Sequence, residues 1–284
     1  MDKVAIVTDS TSDIQQDRAN ELNVYIVEPY FFFDGIAYTS KSMSIQEFDQ
    51  KIDNVTKENF PTTSQPSPQD FIDAYHQVKK DGYTRILSIH LSSKISGTIN
   101  SARIASEEFD DMEIIVVDTM GVSVIVTACI EKARILLSKN VKLIEIAKIL
   151  TDYGNLCKPY LALDTLENLV RSGRISPLRY KFGKLLKIKP ILTMQEGKLT
   201  SIDKVKGLSK SRDRIYSLAL KSLSSKDTFR YFIGHSNALD VAMMYDSKLK
   251  EEFPLAVGII IELGMALRIH SGKKALFIMA YNIE

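Results

Sequence analysis

The chain lacks the cysteine pattern and the long apolar run that mark several classes of protein. Its 284 residues include two cysteines, Cys129 and Cys157, which are not in CxxC spacing. This usage argues against a disulfide framework or a zinc site and fits a reducing compartment. No stretch approaches the roughly 20 apolar residues of a membrane span, and the N-terminal apolar run is too short for a signal peptide. We therefore expect a soluble, cytoplasmic protein without a stable membrane anchor.

An excess of one charge is absent as well. The formal net charge is +2, and the basic residues are scattered along the chain, which gives no electrostatic footprint for a nucleic-acid partner. Enzyme signatures are also missing: there is no P-loop, no GxGxxG after a strand, no HExxH and no GxSxG. The histidines are isolated in sequence, so neither a metal site nor a cofactor is expected. They are His76, His90, His235 and His270.

The most informative stretch runs from Arg85 to Arg103. An apolar, β-rich run is followed by a turn rich in small hydroxyl residues and then by apolar residues at helical spacing, which predicts a strand, a turn and a helix start. A helix N-terminus carries unpaired N–H groups and a partial positive charge, so hydroxyls there can hold a carboxylate or phosphate without a lysine or arginine. The alternative is an ordinary loop in which Ser96 or Thr98 only caps its own helix.

Two other loops have a similar polar character. Val4 to Val7 is a strand pattern that ends in the small polar run Thr8 to Asp13, before a helix with Ile14 on its first turn. Loops of this kind gather at the carboxyl ends of the strands in a parallel sheet, where ligands bind. Phe60 to Pro68 is a loop that its prolines stiffen, and its hydroxyls, which include Thr63, form a second cluster. A rigid linker is the alternative there.

The order of elements predicts the fold class. A βαβαβα pattern over the first ~150 residues favours a doubly wound, mostly parallel sheet. The break at Gly154 and Asn155 suggests a boundary, so we expect two α/β domains, residues 1–155 and 156–284. The local patterns that shape the rest of this expectation are a hairpin around Asp34-Gly35, a capping box at Ser44 and Glu47, helices over 120–138 and 177–186, a hairpin around Glu196-Gly197, a helix cap formed by His235-Ser236-Asn237 and a polar turn at His270-Ser271-Gly272.

Four stretches distributed along the chain resemble those of the DegV family of bacterial fatty-acid-binding proteins. This resemblance implies a two-domain α/β protein that encloses one long-chain fatty acid between its domains. It implies a carrier rather than an enzyme, which presents the fatty-acid carboxylate to a separate ATP-dependent fatty-acid kinase that makes the acyl phosphate for phospholipid synthesis. The matching stretches are IVTDSTSD (residues 6–13), TSQP (63–66), SSKISGT (92–98) and LVRSGRIS (169–176), with KIKP (187–190) further on.

The same resemblance assigns roles to individual residues. The groups that bind the carboxylate would be Thr63, Ser96 with Gly97, and His270. Arg171 and Lys206 would face the kinase and its phosphate. Lys206 stands in Lys204-Val-Lys206-Gly207, where the family has an arginine, and lysine keeps the charge but loses the bidentate fork.

The turn after His270 also departs from the family pattern. It reads His270-Ser-Gly-Lys-Lys274 in place of His-Thr-Gly-Pro-Gly. Two functions of other classes remain open. One is a hydrolase or phosphotransferase that uses Ser96 with His270, and the other is a fold without a lipid site that acts through protein contacts alone. Whether the purified protein contains a bound ligand, and which one, distinguishes the carrier from the enzyme and from the protein that acts through contacts alone.

Overall fold

The computed structural model describes residues 3–175 and 188–282, and they divide into two compact units. Unit 1 runs to Leu156 and includes Gly264–Ala266, and unit 2 is Cys157–Leu263 with the residues from Leu267 onward. The domain boundary expected after residue 155 stays a prediction. The helix expected over 177–186, and residues 176 and 187 of the matching stretches, lie outside the described residues.

Unit 1 contains seven described strands and six described α-helices. Its strands are β1 (Val4–Asp9), β2 (Val24–Val27), β3 (Tyr30–Phe33), β4 (Ile36–Tyr38), β5 (Thr62–Ser64), β6 (Arg85–His90) and β7 (Glu113–Asp118). Its helices are α1 (Gln16–Glu21), α2 (Ile45–Asp53), α3 (Pro68–Lys80), α4 (Thr98–Ser106), α5 (Val124–Ser138) and α6 (Leu143–Leu156).

The main sheet of unit 1 has the order β2-β1-β6-β7, with parallel pairing throughout. Its central strands are buried on both faces because helices cover the sheet. On one face Val7 and Ile86 pack with Phe71 and Tyr75 of α3. The predicted α/β class with a parallel first sheet is therefore confirmed. Parallel pairing also brings the carboxyl ends of β1, β6 and β7 to one edge of the sheet.

Unit 1 also contains a smaller antiparallel sheet of the order β4-β3-β5. The predicted hairpin is confirmed, since β3 and β4 pair across Asp34 and Gly35. The Ser44 and Glu47 capping box is also present. The loop expected over 60–68 is partly wrong, because Thr62–Ser64 pairs with β3 as a strand. Its partner is distant in sequence, so no local pattern indicates this pairing.

Two helix starts differ from the sequence patterns. Helix α5 begins at Val124 rather than Met120, because Met120 and Ser123 have positive φ angles of 53° and 58°. A residue with positive φ cannot continue a right-handed helix. Ile14 lies outside α1, in a segment that follows a short 3₁₀ turn at Ser10–Ser12.

Unit 2 is built on a mixed sheet of the order β10-β9-β8-β13-β11-β12. The described strands are β8 (Tyr160–Ala162), β9 (Ile188–Gln195), β10 (Lys198–Lys206), β11 (Arg230–His235), β12 (Val257–Glu262) and β13 (Leu276–Tyr281). The described helices are α7 (Glu167–Arg171), α8 (Leu208–Lys221), α9 (Leu239–Glu252) and α10 (Met265–Ser271), which begins in the residues assigned to unit 1. The hairpin at Glu196-Gly197 is confirmed, since β9 and β10 pair across it.

Two polar segments of unit 2 were wrongly interpreted from sequence. Helix α9 starts after Ala238, and no side chain caps it. Asn237 accepts a hydrogen bond from Arg268 instead. His270 lies in the last turn of α10 rather than in a polar turn. For Asn237, a partner distant in sequence takes the side chain that the local pattern assigns to a helix cap.

Candidate ligand-binding site

The two hydroxyl-bearing loops lie in unit 1 and contact each other. Thr63 is the central residue of β5, where it pairs with Phe31. Ser96 and Gly97 directly precede α4. A methyl group added to Gly97 would lie 3.0 Å from Nε2 of Gln65, so glycine permits this close approach. The structure thus brings the stretch that carries Thr63 against the turn that carries Ser96.

Ser96 also bonds within its own turn. Its Oγ lies 2.9 Å from Oγ1 of Thr98 and accepts the backbone N–H of Thr98 at 3.3 Å. This contact is local to the turn, although no side chain forms an N-cap hydrogen bond to α4, whose N-cap residue is Gly97. Each hydroxyl has one O–H to donate, and their mutual bond uses one of the two. The pair therefore keeps one O–H at the N-terminus of α4 that a bound anion can accept.

His270 lies in unit 2, in a setting that keeps its ring neutral. Burial, and next the positive charge of Arg174, lower the pKa of His270 to about 3. The imidazole is therefore uncharged at neutral pH, with one N–H donor and one acceptor nitrogen. A neutral ring of this kind can donate to an anion but is a weak general base at pH 7.

Arg171 ends α7, and the structure places that helix against α10. Nδ2 of Asn168 donates to the carbonyl of Ile269, the residue before His270, at 3.0 Å. Arg171 forms an ion pair with Glu167 one turn earlier, at 2.5 Å between Nη2 and Oε1. The helices that carry Arg171 and His270 are thus attached to each other within unit 2.

Lys206 is an exposed residue at the end of β10, an edge strand of the sheet. The altered turn after His270 contains a conformation that glycine favours, since Lys274 has a φ of 60°. Backbone bonds hold that residue in place: Lys274 N–H donates to Ser236 at 2.8 Å, and its carbonyl accepts from Arg212 at 3.1 Å. The binding roles of Thr63, Ser96 and Gly97 in unit 1, and of His270, Arg171 and Lys206 in unit 2, stay predictions.

Sequence reasoning missed a buried hydrogen-bonded chain in unit 1. Oδ2 of Asp9 lies 2.8 Å from Nδ1 of His90, and Nε2 of His90 lies 2.7 Å from Oγ of Ser88. Tyr75 donates its O–H to the same Ser88 oxygen at 2.8 Å. All four side chains are buried. Side chains alternate between the two faces of a strand, so the sequence of β6 could have indicated that Ser88 and His90 lie on the same face.

Asp13 is a second buried group that the motifs did not single out. Its carboxylate accepts from Oγ of Ser123 at 2.5 Å and from the backbone N–H of Gly264 at 2.8 Å. Burial is the main cause that raises the pKa of Asp13 from 3.8 to about 7, and the charge of Asp9 adds to it. This carboxyl group therefore changes its charge near neutral pH.

Within residues 3–175 and 188–282, no cluster of three or more histidine, cysteine or acidic side chains is arranged to hold a metal ion. None of the helices in the same ranges combines the length and the apolar character that crossing a membrane requires.

Comparison with known proteins gives a match over nearly the whole chain. The family model described as "uncharacterised protein, DegV family" matches residues 3–282. A DegV domain-containing protein of Halalkalibacterium halodurans is 31% identical over 283 residues, which are 99% of each chain.

Solved structures are similar over the same length. A DegV family protein from Thermus thermophilus, described by its fatty-acid binding, has a TM-score of 0.87 and 31% identity, with coverage of 99% of this chain and 100% of that one. DegV from Bacillus subtilis, described as a fatty-acid-binding protein, has a TM-score of 0.88 and 26% identity, with 99% of each chain covered.

Proposed function

This chain belongs to the DegV family, and we propose that it is a carrier that binds one long-chain fatty acid and presents it to a separate ATP-dependent fatty-acid kinase. The relatives described as fatty-acid-binding proteins support the ligand class. The kinase step follows from the family resemblance and from the cationic residues Arg171 and Lys206.

The observation that carries the proposal is the contact between the two hydroxyl loops of unit 1. Gln65, two residues after Thr63, closely approaches Gly97, which directly precedes α4. There, the Ser96 and Thr98 pair keeps an O–H to donate, and the helix dipole favours an anion. A carboxylate that accepts such bonds keeps its charge without a buried cation, whereas burial without partners would cost several kcal/mol.

The fatty-acid tail supplies the affinity in this proposal. Each buried methylene contributes about 0.8 kcal/mol, so roughly fifteen methylenes give ~12 kcal/mol before the loss of chain freedom is subtracted. The head group then contributes orientation and selectivity for a free carboxylate.

The state of His270 favours a carrier over an enzyme. A hydrolase or phosphotransferase that uses Ser96 would need a base that is able to take its proton near neutral pH. His270 has a pKa of about 3, because burial and the charge of Arg174 disfavour its cationic form. Such a residue is suited to donating an N–H bond to a carboxylate.

Mass spectrometry of an organic extract from the purified, natively folded protein tests the proposal. About one fatty acid per chain is the expected result, and it would also identify the preferred tail. A protein that is empty as isolated and takes up no added fatty acid would overturn it. Release of a product from a fatty acyl ester or phosphate by the protein alone, lost in Ser96→Ala, would favour the enzyme instead.

A further inference from the structure

The buried chain from Asp9 to Tyr75 has two complete hydrogen-bonding arrangements. In the first, Tyr75 donates its O–H to Ser88 at 2.8 Å. Ser88 then donates to Nε2 of His90 at 2.7 Å, and Nδ1–H of His90 donates to Asp9 at 2.8 Å. His90 is neutral and Asp9 is ionised in this arrangement, so the chain carries one negative charge.

The second arrangement reverses both hydroxyls and adds one proton from solvent. The proton binds Nε2 of His90, which now donates to Oγ of Ser88. The O–H of Ser88 turns to the oxygen of Tyr75, and the O–H of Tyr75 donates to the carbonyl of Ala102, 3.4 Å away. Every polar group keeps a partner, so no buried donor or acceptor is left unsatisfied. The charge of the chain changes from −1 to zero.

This buried chain is attached to the elements that present the hydroxyl loops. His90 is the last residue of β6, directly before the turn that carries Ser96. Tyr75 lies on α3, which follows the stretch of Thr63 and is capped by Ser67. The final acceptor, the carbonyl of Ala102, belongs to α4, at whose N-terminus Ser96 lies.

The charged groups around His90 are acidic. Asp9 bonds to it, Asp118 is its register partner on β7, and Asp13 interacts with Asp9. From α3 it faces uncharged groups, the Phe71 ring at 5.0 Å between centroids and the Tyr75 hydroxyl through Ser88. In the part of the chain that the structure describes, none of these three acids forms an ion pair with lysine or arginine. Another buried negative charge would therefore be costly here unless a proton accompanies it.

We propose that His90 is a positioning residue of the carboxylate site, which takes up a proton when a fatty acid binds. This inference rests on the proposed function. The ligand adds one negative charge and the proton adds one positive charge, so the total charge of the region is unchanged. The proton is accommodated when the hydrogen bonds of Ser88 and Tyr75 reverse direction. These bonds connect β6, α3 and α4.

Calorimetric titration of the delipidated protein with oleate tests this proposal. Titrations at pH 7.5 in buffers of different ionisation enthalpy give the number of protons taken up, and we expect about one per oleate. With one linked proton, the affinity should fall about tenfold for each unit of pH increase over the range in which oleate stays ionised.

Tyr75→Phe is the diagnostic variant. It keeps the first arrangement, in which Ser88 donates to a neutral His90, but removes the oxygen that accepts from Ser88 when His90 is charged. Proton uptake should fall below about half a proton, and the pH dependence should flatten. Tyr231→Phe is the matched control, because it also removes a buried tyrosine hydroxyl, one that donates to Asp246 at 2.7 Å in unit 2. It should retain the wild-type proton uptake.

The outcomes are distinguishable. A wild-type protein that binds oleate without proton uptake would overturn the role of His90 and leave the carrier function intact, whereas a protein that does not bind oleate would overturn the carrier function itself. Equal loss of proton uptake in both tyrosine variants would also contradict the role of His90. If Tyr75→Phe does not fold, Ser88→Ala, which interrupts the same chain, decides the matter by the same measurement.

Discussion

Gly264 donates its backbone N–H to the carboxylate of Asp13 at 2.8 Å, a contact across 251 positions of the sequence. A Cβ at residue 264 would lie 3.1 Å from the same carboxylate oxygen, so glycine allows this approach. Asp13 itself has a φ of 54° and accepts a second bond from Ser123 at the start of α5. One buried carboxyl group thus attaches the segment 264–266 to the remainder of unit 1.

Asp13→Asn should reduce the dependence of stability on pH. The pKa of Asp13 is raised from 3.8 to about 7 in the folded protein, so its contribution is fully present below pH 3.8 and is lost as the pH rises through 7. The loss in the wild type is at most about 4 kcal/mol between pH 4 and pH 8. Asparagine does not titrate, keeps an oxygen for Gly264 and tolerates positive φ. The free energy of unfolding from denaturant titrations at several pH values measures this difference.

The control for that experiment is Asp17→Asn, which changes an exposed carboxylate on α1. It should show the wild-type dependence on pH. If Asp13→Asn loses as much stability as the wild type between pH 5 and pH 8, then Asp13 is ionised in the folded protein throughout that range.

Thr63→Ala and Ser96→Ala should each weaken fatty-acid binding. In the proposed site both hydroxyls donate to the carboxylate, and a hydrogen bond to a charged group contributes about 1.5–3 kcal/mol. The expected loss is therefore about tenfold to a hundredfold in affinity for each variant, measured by competition with a fluorescent fatty acid. The affinity for the methyl ester of the same fatty acid should change much less, because the ester carries no charge.

Neighbouring hydroxyls provide the controls for these two variants. Thr62 points to the opposite face of β5 from Thr63 and is exposed. Ser93 is exposed in the same turn as Ser96. Thr62→Ala and Ser93→Ala should bind as the wild type does. Unchanged affinity in both Thr63→Ala and Ser96→Ala would reject this location for the carboxylate.

Arg171→Ala should lower acyl-phosphate formation by the proposed partner kinase without reducing fatty-acid binding. The side chain is exposed to 24% and pairs with Glu167, so a guanidinium can reach a phosphate while it stays anchored to α7. Glu167→Gln removes the ion pair but keeps the arginine, and it should retain most of the kinase reaction. A similar decrease in both variants would indicate that the ion pair only stabilises the helix.

Much of this arrangement could be predicted from local patterns. The alternation and turn chemistry around Asp34-Gly35 indicate the β3–β4 hairpin, and the Ser44 and Glu47 spacing indicates a helix start that the structure contains. The strand and turn leading to Ser96 could also be predicted, because the apolar run of residues 85–91 is short, β-rich and directly followed by small polar residues.

The contacts that join distant segments could not be predicted in this way. Asp9 and His90 are 81 positions apart, and the sequence alone does not give the register of β1 against β6. Thr62–Ser64 is a strand only because β3 lies beside it. Asn237 binds Arg268 instead of capping α9, which is a competition between a local and a distant partner. Long-range pairing decides each case and overrides local preference.

Lys274→Gly should stabilise the protein. Lys274 has a φ of 60°, in the position where the family pattern has its second glycine, and a side chain in that conformation costs about 1–2 kcal/mol. Glycine removes this cost but gives the unfolded chain more freedom, worth roughly 0.4–1 kcal/mol, so the net gain should be about 0.5–1 kcal/mol. Lys273→Gly is the matched control, because residue 273 is not among the positive-φ positions; it should destabilise the protein slightly. Thermal unfolding of both variants measures the two effects. A lower midpoint for Lys274→Gly would show that the lysine side chain stabilises the folded protein by more than its backbone strain destabilises it.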